Sequence, residues 1–435
     1  MPRIRPKFIG QVGESDGVTW SDLGYGPNDL AMPIQFNDPF IRDAFGRVRT
    51  SNPQSQFESY FRLDKDPIQW GELTANGATV THVPNEGVVD LDCTTTIGSR
   101  AVFQTKRYMT YQPGKSLLIL LTGVLNTAAA SGGTRSRIGY FDDNIDKVVD
   151  SGGNGFFFQL DGTALSVVRR SFSSGTQVDT VTPQASWNMD PMDGTGPSGI
   201  TIDTTKSQIF FMDIEWLGVG SVRMGIVHNG QPYYVHTFHH ANIVSTTYMT
   251  TASLPLRYEI EVTGIVAAAP KMKAICNSVI SEGGLNPTGR PFSAFRTTSE
   301  TINFREEPLI SIRLKNTGTR TNILMTKMVV MSTSRANGAW YLRHGGAIAT
   351  PTWTSVDPNS FVEFDEISNT YTTQGSVKDS AFFSNNQDYN ESLLKSSIML
   401  PMSEIDGTPI EYTIGARSVA ANETFWASMS WVEII

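Results

Sequence analysis

Turn dipeptides punctuate most of this chain, and they constrain its fold more than any other feature. Asn76-Gly77, Asp161-Gly162, Asn229-Gly230, Asn337-Gly338 and Asp406-Gly407 each stand in or beside short runs rich in Val, Ile, Phe, Tyr and Thr. Asn-Gly and Asp-Gly accept the positive φ angles of tight hairpins, and β-branched and aromatic runs suit pleated strands. GFFFQL before Asp161-Gly162 and TALSVVRR after it read as one hairpin. VRMGIVH and QPYYVHTF read as another, around Asn229-Gly230. The pattern predicts an all-β chain of jelly-roll or concanavalin-like sandwiches. No solenoid or propeller period is present.

The run Ile209–Leu217 shows the alternation. On a strand Phe210, Met212, Ile214 and Trp216 share one face, which reads as core. Ile209, Phe211, Asp213, Glu215 and Leu217 share the other, a mixed face suited to a concave surface or a subunit contact. Small and helix-breaking residues gather near 268–292 (AAAPK, SEGG, NPTGRP) and predict a boundary. The expected plan is an arm and junction over residues 1–56, a first sandwich over 57–275 and a second over 276–435. The arm is broken by Gly and Pro, yet Phe8, Ile9, Val12, Trp20, Leu23 and Tyr25 are too apolar for an idle linker. They are expected to pack on the body or on a neighbouring subunit.

Charge narrows the partners. Asp and Glu outnumber Lys and Arg, for a formal net charge of −8. That disfavours a nucleic-acid partner, which calls for a basic footprint. The longest apolar stretch, around Leu117–Leu121, is far too short to span a membrane as a helix, and MPRIRPKFIG lacks the apolar segment of a signal peptide. Cys93 and Cys276 stand far apart and read as small core residues, neither a disulfide framework nor a zinc site.

The segment Asn37–Pro53, NDPFIRDAFGRVRTSNP, carries a second kind of information. Its D-A-F-G-R-x-R-x-S-x-P pattern stands as Asp43, Ala44, Phe45, Gly46, Arg47, Arg49, Ser51 and Pro53. It resembles a motif near the N-terminus of virion structural proteins of tailed bacteriophages and related large DNA viruses. The resemblance extends through Trp187–Gly199, Ile209–Gly225, His239–Asn242 and Glu307–Lys315. It implies a particle component assembled in the host cytoplasm and carried in the virion as head decoration or fibre, neck or collar, or tail or baseplate. Arg42, Asp43, Phe45, Arg47 and Arg49 are then the expected anchor, with Phe45 filling a partner pocket and the arginines pairing with carboxylates. Other virion proteins and further copies of this chain, a trimer by preference, are the expected partners.

Four features of the sequence bear on chemistry. Asp213 and Glu215 would lie about 6.6 Å apart on one strand face, at the edge of the spacing used by paired carboxylates in glycoside hydrolysis. The segment resembles the E-x-D-x-E strand of jelly-roll β-glucanases, but Phe211 occupies the nucleophile position. His236, His239 and His240, with His228 across the turn, are dense enough for a metal, yet strand alternation divides them between two faces. The loop Trp187–Gly199 groups Trp187, Asn188, Asp190 and Asp193 as a glycan or calcium loop. No nucleophile motif and no phosphate loop is found. The expectation is therefore a structural virion protein that is not an enzyme and needs no metal or cofactor. A surface module that binds host glycans is the alternative, and a glycan depolymerase a third reading.

Overall fold

The computed structural model describes residues 51–128, 132–143, 153–286, 288–315, 321–332, 337–383, 389–392, 401–420 and 422–434. The anchor residues Arg42, Asp43, Phe45, Arg47 and Arg49, and the arm before them, lie outside the described residues.

The first sandwich comprises β1 (Gln54–Tyr60), β2 (Trp70–Ala75), β3 (Thr79–Val83), β4 (Val88–Asp92), β5 (Arg100–Thr105), β6 (Leu117–Val124), β7 (Thr134–Phe141), β8 (Gly155–Asp161), β9 (Ala164–Ser171), β10 (Val178–Pro183), β11 (Gln208–Ile214), β12 (Val222–His228), β13 (Gln231–Phe238), β14 (Leu256–Val262) and β15 (Lys271–Ser281). Its eight-stranded sheet runs β13-β12-β11-β6-β15-β4-β3, with β1 also on β15, and its seven-stranded sheet runs β10-β9-β8-β7-β14-β5-β2. All pairs are antiparallel, and consecutive strands of one sheet are repeatedly parted by strands of the other, as in a concanavalin-like jelly roll.

The second sandwich comprises β16 (Gly289–Phe295), β17 (Glu300–Ile302), β18 (Glu307–Leu314), β19 (Asn322–Ser332), β20 (Gly338–His344), β21 (Ala347–Ile348), β22 (Thr354–Ser355), β23 (Val362–Asp365), β24 (Tyr371–Thr373), β25 (Ser376–Phe383), β26 (Tyr389–Ser392), β27 (Tyr412–Ser418) and β28 (Glu423–Ile434). A five-stranded sheet (β16-β28-β19-β26, with β17 on β28) faces a six-stranded sheet (β22-β23-β18-β27-β20-β25), and β21 pairs with β24 apart from both.

Alternation places the cores. Phe210, Met212 and Ile214 of β11 are fully buried with Phe156, Phe158 and Tyr258 of the opposing sheet. Trp70 stacks on Phe103 with ring centroids 4.5 Å apart. Burying each such side chain stabilises the fold by about 1.5–3 kcal/mol. Trp340, Trp431, Met429 and Ile414 belong to a separate cluster in the second sandwich, so each sandwich has its own core. The expected boundary at 275/276 is corrected: it cuts β15, which stays in the first sandwich to Ser281. Its residues 276–281 pair with both β6 and β1 and cannot leave that sheet.

Two tight turns fall on Asn-Gly, but only Asn229-Gly230 closes a hairpin, between β12 and β13; Asn76-Gly77 carries the chain from β2 in the seven-stranded sheet to β3 in the eight-stranded one. Asn76 and Gly77 have φ of 49° and 79°, and Asn229 and Gly230 have 51° and 77°, the double positive φ of a type I′ turn. In the β8–β9 hairpin Asp161 still pairs with Ala164, so the turn residues are Gly162 and Thr163, one place later than expected. Gly338 opens β20 instead of forming a turn.

Candidate functional site

The expected sites are taken apart by the fold. Asp213 on β11 sits opposite Arg223 on β12 and forms an ion pair with it. Glu215 lies beyond the end of β11 and is exposed. The two carboxylates therefore do not face one substrate as a pair. Phe211, two residues before Asp213, is buried, edge-on to Tyr234 at 5.2 Å, and its ring fills the space left by the missing side chain of Gly225.

The histidines are structural. His236 accepts a hydrogen bond at Nδ1 from the Asn188 amide at 3.3 Å, and burial pushes its pKa down. His240 stacks on Tyr248 at 3.6 Å, with Nδ1 2.7 Å from the Gly220 carbonyl. Burial lowers its pKa as well, against the raising effect of that carbonyl. His239 is exposed, its ring 3.3 Å from the Ser221 hydroxyl.

The loop Trp187–Gly199 folds on itself. Trp187 is 6% exposed and packs edge-on against Phe158, so its ring offers no face to a sugar. Asn188 pairs with β13, its Nδ2 donating to the Thr237 carbonyl at 2.9 Å and its Oδ1 accepting from the Thr237 amide at 2.8 Å. Asp190 is buried and accepts from the amides of Met192 and Ser198 at 2.8 and 2.9 Å. Burial alone would raise that carboxyl, but these hydrogen bonds hold it below its ordinary range. Asp193 accepts from the hydroxyl and amide of Thr195. The loop's acids thus shape its own turns. Among the described residues no cluster of three or more His, Cys, Asp or Glu side chains is placed to hold a metal ion.

Two arrangements escaped the reading by sequence. The first is an ion network on the seven-stranded sheet. Arg257, Glu259, Arg137 and Arg170 are all buried, although each projects away from the core. Glu259 accepts from Arg257 at 2.8 and 2.9 Å and lies 3.1 Å from Arg100 and 3.4 Å from Arg137. Burial would raise its pKa, but Arg257, Arg100 and Arg137 hold it well below the carboxylate range. Arg170 pairs with Asp143 at 2.7 Å and with Asp179 at 2.8 Å, and lies over Phe157 at 5.1 Å. The alternating charges of RYEIEV against those of TRSRIGY were the available signal: Arg137 and Glu259 are direct cross-strand partners.

The second is an open cleft of about 930 Å³ on the outer face of the six-stranded sheet. Its floor comes from β20 and β27, where Tyr341 pairs with Gly415 and Ala339 with Arg417. The segment Phe304–Glu307, leading into β18, forms one wall, and residues 369–374 around β24 form another. Glu306 and Arg343 are joined as a two-pronged ion pair, with Arg343 Nε 2.8 Å from Oε1 and a second contact from its terminal nitrogen to Oε2. The Arg343 guanidinium also lies 5.5 Å from the Tyr341 ring centre.

Tyr371 reaches across the sheet to place its hydroxyl over Gly415 beside Glu306, where a methyl group on Gly415 would collide with both. Burial, then Glu306, pushes that hydroxyl's pKa up. Burial and the nearby Glu300 raise the carboxyl of Glu307. Phe304 and the side chains of Arg305 and Arg417 are exposed. Aromatic faces, fixed hydrogen-bonding groups and exposed cations in one shallow polar cleft suit a hydrated ligand with both apolar faces and polar rims.

No family model matches the chain. No curated protein matches it. Similarity is found to solved structures: an endo-β-1,4-glucuronan lyase from the fungus Trichoderma reesei (10% identity, 52% of this chain and 95% of that one, TM-score 0.37), a β-glucanase from Bacillus licheniformis (11%, 52% and 99%, TM-score 0.34), and peanut lectin (9%, 53% and 98%, TM-score 0.31). At such scores the likeness assigns neither a ligand nor an activity to this chain. It does correct the expectation that the chain is not an enzyme, because a lyase and a glucanase stand among the matches beside the lectin.

Proposed function

We propose that this chain is a glycan-holding component of a tailed-phage particle. The open cleft of the second sandwich carries the glycan half of the reading. It presents the rings of Tyr341, Tyr371 and Phe304 beside the locked Glu306–Arg343 pair. Saccharides are bound through ring stacking on their apolar faces and directed hydrogen bonds to their hydroxyls, and the cleft offers both. The resemblance of Asn37–Pro53 to virion proteins supports the particle half, with Arg42, Asp43, Phe45, Arg47 and Arg49 as the attachment and a homotrimer as the assembly.

A glycan array probed with the purified chain tests the first half, with Tyr341→Ala as the control. Binding that falls at least tenfold in the variant supports it; absence of binding to any saccharide, with and without calcium, overturns it. Release of reducing ends by the same protein would make the cleft one that cuts as well as holds. The second half is tested by deleting residues 1–50. The truncated chain should stay soluble and β-rich and fail to join particles, and incorporation at the normal level would refute the attachment.

A further inference from the structure

The charges of the cleft are unevenly engaged. Both oxygens of Glu306 are taken by Arg343, so that pair is closed to a ligand. Arg305 and Arg417 differ: both are exposed and neither has an ion-pair partner among the described residues. Arg417 projects from β27 on the same face as Gly415, its cross-strand neighbour is the small Ala339, and Tyr341 lies diagonally across from it. Diagonal neighbours in an antiparallel pair are about 7–8 Å apart, within reach of an aromatic ring and a long side chain acting on one ligand. On a chain of formal net charge −8, three arginines around this cleft against two glutamates make a local reversal of sign. One of those glutamates, Glu307, is also pushed toward its neutral form by burial and by Glu300, against the opposing pull of Arg305.

We infer that the cleft takes an anionic saccharide, with a sugar ring against Tyr341 and its acid group held by Arg305 and Arg417. The inference rests on the glycan reading above and narrows it. A guanidinium meets a carboxylate or a sulfate through two parallel N–H donors, which gives direction as well as attraction. The surrounding excess of negative charge sharpens the choice, since an acidic glycan finds its favourable potential at this cleft. A neutral sugar would leave both guanidinium groups facing water and would gain nothing from them.

The test is a titration of the full chain with oligosaccharides matched in length: one neutral, one bearing uronates and one bearing sulfates, each at low and at high salt. An acidic oligosaccharide is expected to bind at least tenfold more tightly than the neutral one, and the advantage should shrink at high salt. The double variant Arg305→Gln/Arg417→Gln should erase that advantage while keeping weak binding of the neutral sugar. Its melting temperature should match the parent's, because both side chains are exposed. Tyr341→Ala should weaken all binding alike. The uronate and sulfate arms identify the acid group, and a gain in either one supports the inference. Equal affinity for neutral and acidic sugars, or a double variant that keeps the preference, overturns the inference and leaves the glycan reading standing. No binding to any of the three overturns both.

Discussion

Glycines in this protein act through two physical routes that one substitution, to alanine, can separate. Gly230 has a φ of 77° and open space where a side chain would stand, so Gly230→Ala costs only backbone strain, about 1–2 kcal/mol. Gly415 is the reverse case: its backbone is ordinary, but Tyr371 and Glu306 occupy the space. Gly415→Ala should leave the melting temperature lowered only modestly and disrupt the cleft, read as at least a tenfold loss of ligand affinity. Glu259 acts through its charge instead. Its depressed pKa means that the folded state holds the carboxylate more strongly than the unfolded chain does. That stability is fully present above the unfolded pKa of about 4.5 and is lost as pH falls below it. Glu259→Gln should therefore cost about 3–5 kcal/mol at neutral pH, by leaving buried arginines without their countercharge. Urea melts of parent and variant should converge as the pH drops below about 4, and a constant gap would argue against the network.

At the scale of strands and hairpins, much was legible. The alternation of β11 put Phe210, Met212 and Ile214 in the core, where all three are buried. Met212→Ala should cost about 2–5 kcal/mol in a chemical denaturation experiment, because the opposing sheet cannot close on the gap. The Asn76-Gly77 and Asn229-Gly230 turns were legible because their backbone requirement is local. The cleft was not, because Phe304, Tyr341, Tyr371 and Arg417 come from four separate segments: only Tyr341 and Arg417 lie on strands of the six-stranded sheet, while Tyr371 comes from β24 and Phe304 from the stretch ahead of β18. Trp187 misled for the opposite reason. A tryptophan among Asn, Asp and Gly looks exposed in a sequence, but the loop turns its ring inward and satisfies its own acids. The boundary was off by a few residues since β15 carries polar residues on its outward face and so resembles a linker at its C-terminal half.

At the scale of the whole molecule, the two cores are distinct, and the contacts between the sandwiches include polar ones. Lys106 reaches Glu404 at 2.9 Å, and Asn322 Nδ2 donates to the Tyr108 carbonyl at 2.5 Å. Polar contacts of this kind couple domains weakly. Calorimetry should resolve two unfolding transitions, and Trp431→Ala, which removes a large side chain from the second core, should lower only one of them. A single transition that shifts as a whole would mean the junction is stronger than its contacts imply. The chain enters the first sandwich at Gln54 and leaves it at Ser281, and these two residues are cross-strand partners. The Gln54 side chain also accepts from the Leu285 amide at 3.0 Å. Tension applied between the segment ahead of Gln54 and the second sandwich would thus enter and exit at one corner. It would peel β1 from β15 one hydrogen bond at a time instead of shearing the ladder, and the fifteen-stranded body would hang beside the line of force as an unloaded passenger.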